Sequence, residues 1–319
     1  MITWIFTIFV ILLLMYIFIY NVINQNENKA LFFPSKKKHW KPKIKYENLY
    51  LNINNVNDVC KTPKDKKSSE SYIHCWYFNN FKTRKTIVFY HGTSGNITDR
   101  KYIIDLCHRF KFNLFLFDYC GYGESSEFTH KFFLRENGET VHNYLNKIQK
   151  IPSKDIIIWT ESLGCITGAY IASKYDCGGL ILLSGFSSLD DILNCSLEGY
   201  KQQASKLLTS LLSYKMDYLP VKDYLYKVKC PVVIIHSEKD EIVPYECSKI
   251  NYKNIKHKDK LFVKIGGIHS APKIKTKQLR KILDFIDLPH HDITSKTISY
   301  ILKDVETFAK RHNNFIGSY

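Results

Sequence analysis

Six short runs of nearly unbroken apolar character constrain this chain more than any other feature. Thr86–Tyr90, Asn113–Phe117, Asp155–Trp159, Gly179–Leu183, Pro231–Ile235 and Leu261–Ile265 each span about five residues. A strand exposed on one face alternates apolar and polar residues. A run without alternation belongs to a strand buried on both faces, as in a parallel sheet covered by helices. Segments with helical spacing lie between the runs, at Thr98–Arg109, Arg135–Lys150, Leu163–Lys174 and Pro244–Tyr252. Alternating strand and helix predict a mostly parallel, doubly wound α/β sheet. Two earlier strand-like segments, Ile44–Ile53 and Ser71–Phe78, flank the lysine-rich stretch Lys61–Lys67 and predict an antiparallel hairpin start. One stretch breaks the alternation. Between Leu183 and Pro231 no strand is readable, and Leu197–Tyr214 has helical spacing with many Leu residues. An insertion there, at residues 186–228, predicts a short helical cap over the strand ends; an ordinary connecting helix with a longer loop is the competing reading.

Open α/β sheets bind ligands beyond the carboxyl ends of their strands, so the chemistry is sought in the residues just past each run. After Asp155–Trp159 comes Thr160-Glu161-Ser162-Leu163-Gly164 and then a helix. A Ser on a sharp strand-to-helix turn is a nucleophile elbow, whose tight backbone needs small neighbours. Gly164 meets that need, whereas Thr160 stands where Gly is usual. An N-cap serine opening a helix is the plainer reading of Ser162 alone. After Pro231–Ile235, Asp240 lies in the loop, where an acid orients a histidine. After Leu261–Ile265, Gly266-Gly267-Ile268 leads to His269. The order Ser162, Asp240, His269 is the Ser…Asp…His order of one serine hydrolase fold, distinct from the orders of two others. An oxyanion hole needs two backbone N–H donors. Leu163, just after the nucleophile, supplies one. The loop His91-Gly92-Thr93-Ser94-Gly95-Asn96 supplies the other, with Thr93 the chosen donor. Asp118, Asp190 and Asp191 also come after strands and are weaker candidates for the acid. His91 reads as a residue that orders its loop. His236, His257, His290 and His291 read as surface or packing histidines. No cofactor is implied, and no CxxC or His/Cys cluster suggests a metal site.

These motifs together resemble the α/β-hydrolase fold of serine hydrolases. More narrowly, the chain resembles membrane-anchored α/β-hydrolase-domain proteins of the bud-emergence-suppressor (Bem) type, whose relatives include protein depalmitoylases. The resemblance rests on His91-Gly92 with Gly95-Asn96, on Asp118-Tyr119-Cys120-Gly121-Tyr122-Gly123-Glu124-Ser125, on the Ser162 elbow, on Ser184-Gly185-Phe186-Ser187-Ser188, on Asp240 through Pro244, and on Gly266-Gly267 before His269. It runs from about Thr86 to His269. Departures are Thr160 for Gly, Cys120 where Arg is frequent, and Ile268 before the His. The resemblance implies hydrolysis of ester, thioester or lipid-acyl bonds by a Ser162–His269–Asp240 triad, with the Asp118 loop structural. It leaves the substrate open, because one fold hosts many chemistries. The alternative is a membrane scaffold that kept the fold and lost activity, for which Thr160 and Ile268 are the motive.

The amino terminus adds a location. From Ile2 to Tyr20 the only polar side chains besides Tyr16 and Tyr20 are Thr3 and Thr7. As a helix the run spans about 28 Å, close to the thickness of a bilayer's hydrocarbon. No basic residue precedes it and no small-x-small cleavage site comes after it, which favours an uncleaved transmembrane helix over a signal peptide. Residues 1–23 are therefore read as an anchor, 24–45 as a basic linker, and 46–319 as the hydrolase domain. Lys29, Lys36, Lys37, Lys38, Lys41, Lys43 and Lys45 follow the span. The positive-inside rule then places the domain on the cytoplasmic side, with a luminal or extracellular domain as the alternative. The net charge of +16 suggests a polyanionic partner. No nucleic-acid-binding motif accompanies it, so membrane lipids are the expected partner of the linker, and acyl-lipids or S-acylated proteins the expected substrates. Nine cysteines without paired spacing read as reduced thiols. Two glycosylation sequons, at Asn96 and Asn194, offer a check on orientation.

Overall fold

The computed structural model describes residues 32–83, 85–127, 133–196 and 220–289, with residues 294, 299, 303–307, 309 and 310 of the tail. The predicted anchor at Ile2–Tyr20, the helical segment Leu197–Tyr214, and His290 and His291 lie outside the described residues. Among the described residues no helix is long and apolar enough to cross a membrane.

Each apolar run forms a strand. In chain order the strands are β1 (Phe33–Pro34), β2 (Glu47–Asn52), β3 (Val59–Cys60), β4 (Tyr72–Phe78), β5 (Thr86–Tyr90), β6 (Ser94–Gly95), β7 (Asn113–Phe117), β8 (Ile156–Glu161), β9 (Gly179–Leu183), β10 (Val232–Ser237), β11 (Lys260–Ile268) and β12 (Ala271–Lys273). Ten of them make one sheet in the order β12-β11-β10-β9-β8-β5-β7-β4-β2-β3. The six from β11 to β7 are parallel, whereas β4, β2 and β3 at one end and β12 at the other run antiparallel. The predicted antiparallel start is therefore present, with β3 added between its two strands, just before the lysine-rich stretch.

The unbroken apolar runs follow from having two covered faces. Val88, Phe115, Ile158, Leu182 and Ile234 point to one core, and Ile87, Leu114, Ile157, Ile181 and Val233 to the other. Helices α1 (Lys101–Arg109) and α7 (Thr276–Phe285) cover the second face. Helices α2 (Phe133–Asn143), α3 (Gly164–Lys174), α5 (Val221–Leu225) and α6 (Tyr245–Asn254) cover the first, beside α4 (Leu189–Ser196). Helix α2 ends earlier than its predicted limit at Lys150, because Tyr144–Ile148 winds as a wider π turn. All nine cysteines are free thiols, eight of them buried. A second sheet has two strands, β1 paired in parallel with β6.

Candidate active site

The carboxyl ends of β8, β10 and β11 meet at one point on the sheet edge. Ser162 follows β8 with φ at 50°, in the left-handed region, and its N–H donates to Leu183 O at 2.9 Å. Such strain in a non-glycine residue persists only when its surroundings fix it. The turn runs directly into α3, placing the Leu163 amide at that helix's N-terminus. Gly164 is obligatory for contact reasons: a Cβ there would stand 2.1 Å from Tyr90 O.

Thr160 is accommodated rather than tolerated. Its side chain is fully buried and its hydroxyl donates to Ile181 O at 2.8 Å. The methyl group fits because Gly168 faces it from α3, where a Cβ would lie 2.2 Å from Thr160 Cγ2. The space usually left by a glycine in the strand is moved onto the helix.

Asp240 sits in the loop after β10. Its Oδ1 accepts N–H groups from Val243 at 2.8 Å and Ile242 at 3.1 Å. His236, inside β10, brings its Nε2 to 3.1 Å from Asp240 Oδ2 while also reaching Val243 O at 3.0 Å. Burial raises the Asp240 carboxyl. Hydrogen bonds from His236 and His269, the charge on His269 and the Val243 amide outweigh it and hold the acid well below the usual carboxylate range.

His269 occupies the two-residue turn between β11 and β12. Ile268 pairs with Ala271, so it is the last strand residue before the turn and points to solvent. That is how the hairpin absorbs the residue between Gly267 and His269. The His269 Nδ1 lies 2.8 and 2.9 Å from the two Asp240 oxygens, and its Nε2 lies 3.0 Å from Ser162 Oγ. With Nδ1 donating to a carboxylate, Nε2 faces the serine as an acceptor. Ser162, His269 and Asp240 are thus one hydrogen-bonded chain.

The loop after β5 lies against the elbow. A Cβ on Gly92 would be 3.4 Å from Ser162 Cβ, so Thr93 comes directly after a point of contact with Ser162. His91 is buried, and its Nδ1 donates to Gly92 O at 2.7 Å. Two of the other candidate acids, Asp118 and Asp191, are engaged elsewhere. Asp118 lies between His74 and His91, at 3.7 and 3.5 Å. Asp191 is held by Lys222 at 2.8 Å and Ser187 at 2.6 Å. Two participants are not announced by the sequence pattern. Glu241 accepts the His269 N–H at 2.9 Å, and His236, expected only to pack, is fully buried against the acid. Their place beside Asp240 and in its strand is the available signal. The sequon at Asn96 is occupied by structure: its side-chain amide is buried and donates to Ser35 O and Lys37 O, both at 2.8 Å.

A model of the family described as alpha/beta hydrolase of unknown function (DUF1057) matches residues 60–304. The uncharacterized protein R595 of Acanthamoeba polyphaga mimivirus is 30% identical over 230 residues, 65% of this chain and 74% of that protein. The alpha/beta hydrolase domain-containing protein 17C of Xenopus tropicalis is 26% identical over 212 residues, 65% of this chain and 64% of its own length. The chain thus spans somewhat under two thirds of that relative. Among solved structures, the esterase Pf2001 of Pyrococcus furiosus superimposes with a TM-score of 0.57 at 17% identity, covering 88% of this chain and 98% of that one. The enol-lactonase of Burkholderia xenovorans LB400 gives 0.51 at 12% identity, covering 68% and 97%.

Proposed function

The chain belongs to the α/β-hydrolase family DUF1057, and from that premise we propose that it is a membrane-anchored serine hydrolase cleaving ester or thioester bonds of acyl-lipids or S-acylated proteins. The observation that carries the reading is the hydrogen-bonded chain from Ser162 Oγ through His269 to Asp240, at 3.0, 2.9 and 2.8 Å. Ser162 Oγ attacks the acyl carbon while His269 Nε2 takes its proton. The oxyanion that forms is met by the Leu163 and Thr93 amides. The tetrahedral species collapses, and His269 returns the proton to the departing alcohol or thiol. Water then attacks the acyl-enzyme, again with His269 as base, and releases the acid. Asp240 keeps the imidazole in the tautomer this requires and stabilises the imidazolium. The accommodation of Thr160 by Gly168, and of Ile268 by the hairpin, speaks against an inactive scaffold.

Substrate class rests on the apolar run Ile2–Tyr20 and the lysines after it, which would hold the domain at a lipid surface, on its cytoplasmic side. Turnover of acyl esters and thioesters of graded chain length by the full chain in lipid nanodiscs tests the reading. Rising kcat/KM with chain length, for esters and thioesters alike, is expected. Equal turnover of short soluble esters with no gain for long chains would remove the lipid substrate.

A further inference from the structure

The loop bearing Thr93 is held from outside by Phe32–Lys38, the part of the linker that leads into its lysine cluster. Phe33 N–H donates to Thr93 O at 3.1 Å, and Ser35 N–H donates to Gly95 O at 3.3 Å. These bonds make the parallel pair of β1 and β6. Asn96 answers with its two side-chain bonds to Ser35 O and Lys37 O. The His39 N–H donates to Thr98 Oγ1 at 3.0 Å, and the Gly123 N–H to Ser35 O at 3.0 Å. At its start the segment is pinned by Phe32, buried with its ring edge-on to Phe133 at 5.2 Å.

Peptide groups are planar, so a bond to a carbonyl fixes where the N–H of the same unit points. The unit ending in the Thr93 N–H is fixed at Gly92 O by His91 Nδ1. The next unit is fixed at Thr93 O by two donors, Phe33 N–H and the Tyr122 hydroxyl, the latter at 2.8 Å. Thr93 is therefore clamped on both sides. Two of the three clamping donors come from outside the Thr93 loop: Tyr122 from the loop after β7, and Phe33 from the segment ahead of the ten-stranded sheet.

We propose that Phe32–Lys38 is a positioning strap for the oxyanion loop. The backbone N–H groups of Phe33 and Ser35 hold Thr93–Gly95 so that the Thr93 amide faces the acyl oxygen at Ser162. The strap itself touches no substrate. It rests on the proposed roles of Ser162 and Thr93. It also makes the segment between the apolar run and the domain a working part of the active site, in addition to a tether. Stabilisation by a backbone donor is worth most when the donor is oriented before charge develops. Loss of the strap is then expected in the transition state and not in substrate binding.

Proline at positions 33 and 35 removes the two donors while suiting extended backbone. The full chain in one detergent is compared with Phe33→Pro, Ser35→Pro and the double variant, using a short aryl ester as substrate. Lys249→Ala serves as the control, since its exposed side chain on α6 pairs with Glu246 and reaches neither the strap nor the loop. The double variant is expected to lose kcat by roughly ten- to a hundredfold with KM within about twofold. The Ki of an aryl trifluoromethyl ketone, which mimics the tetrahedral species, should rise in parallel. Lys249→Ala should change neither. A double variant that melts like the wild type and keeps kcat and Ki overturns the strap. Should the double variant not fold, Ser35→Pro and Tyr122→Phe probe the same clamp from two sides, and full kcat in both overturns it as well. A folded wild type that neither turns over the ester nor reacts with a fluorophosphonate overturns the serine hydrolase reading, and the strap with it. The strap alone fails only when the wild type is active.

Discussion

Two aspartates along the same sheet edge are each flanked by two histidines, and only one of the groups is arranged for chemistry. Asp240 stands between His236 and His269, and Asp118 between His74 and His91. In the first group the acid touches His269 at 2.8 Å, and the imidazole passes on to a half-buried serine hydroxyl. In the second the approaches lengthen to 3.5 and 3.7 Å. The neighbouring hydroxyl, Ser125, donates to Asp118 O at 2.7 Å and accepts from His74 N–H at 2.8 Å. It is tied to peptide groups and faces no imidazole. His91 and His74 are both buried, whereas the His269 side chain keeps 12% of its surface exposed. A cavity of about 590 Å³ borders Asp118 and His74, so open space alone does not separate the two groups. The difference is a serine hydroxyl, Ser162 Oγ, aligned with the second ring nitrogen. Asp118 instead accepts Ile97 N–H at 2.8 Å and ties the oxyanion loop to the end of β7.

The largest effect should come from exchanging each acid for its amide. Asp240→Asn is expected to lower kcat by about 10⁴-fold at neutral pH, because the amide favours the wrong imidazole tautomer. Asp118→Asn should keep kcat within about tenfold and lower the melting temperature, as a charge-assisted bond is lost. Equal catalytic losses in both variants would erase the distinction. A smaller effect concerns the elbow. Gly168→Ala drives a methyl into Thr160 Cγ2 and should cost about 1–3 kcal/mol. Adding Thr160→Gly should restore most of that, and denaturant melts of the four proteins in the cycle measure it. The mildest test uses a histidine outside both groups. His142 stacks on Tyr175 at 3.8 Å and meets the Ser153 hydroxyl at 3.1 Å. Burial pushes its pKa down from 6.5 to about 4. The unfolded chain takes up that proton below pH 6.5 and the folded chain only near pH 4, so stability falls as pH drops through that window, by up to roughly 3 kcal/mol. In His142→Phe, which keeps the stacking, melting should depend less on pH between 6.5 and 4.

The parallel strands are legible because burial on both faces leaves runs such as Ile156–Trp159 with nothing polar to interrupt them. The hydrogen-bonded set Ser162, His269 and Asp240 is legible because each member comes after such a run. Elements without that signature stay hidden. Phe33–Pro34 and Ala271–Lys273 are two and three residues long, and each contains proline, so neither has a period to read. Yet they hold the oxyanion loop and turn His269 back toward Ser162. Helix α7 carries its signal in Leu279, Ile282, Leu283 and Ile286 on one face, within a lysine-rich context that masks it. The pairing of Thr160 with Gly168 is a contact between strand and helix, and no local pattern announces it.

The central claim is that Ser162 is an activated nucleophile, and a fluorophosphonate tests it most directly. The serine oxygen displaces fluoride from phosphorus, and the adduct is read by mass on the intact chain and on the peptide containing Ser162. One adduct at Ser162 is expected in the wild type, absent in Ser162→Ala and strongly slowed in His269→Ala. A folded wild type that remains unlabelled, or labelling that survives Ser162→Ala, would contradict it.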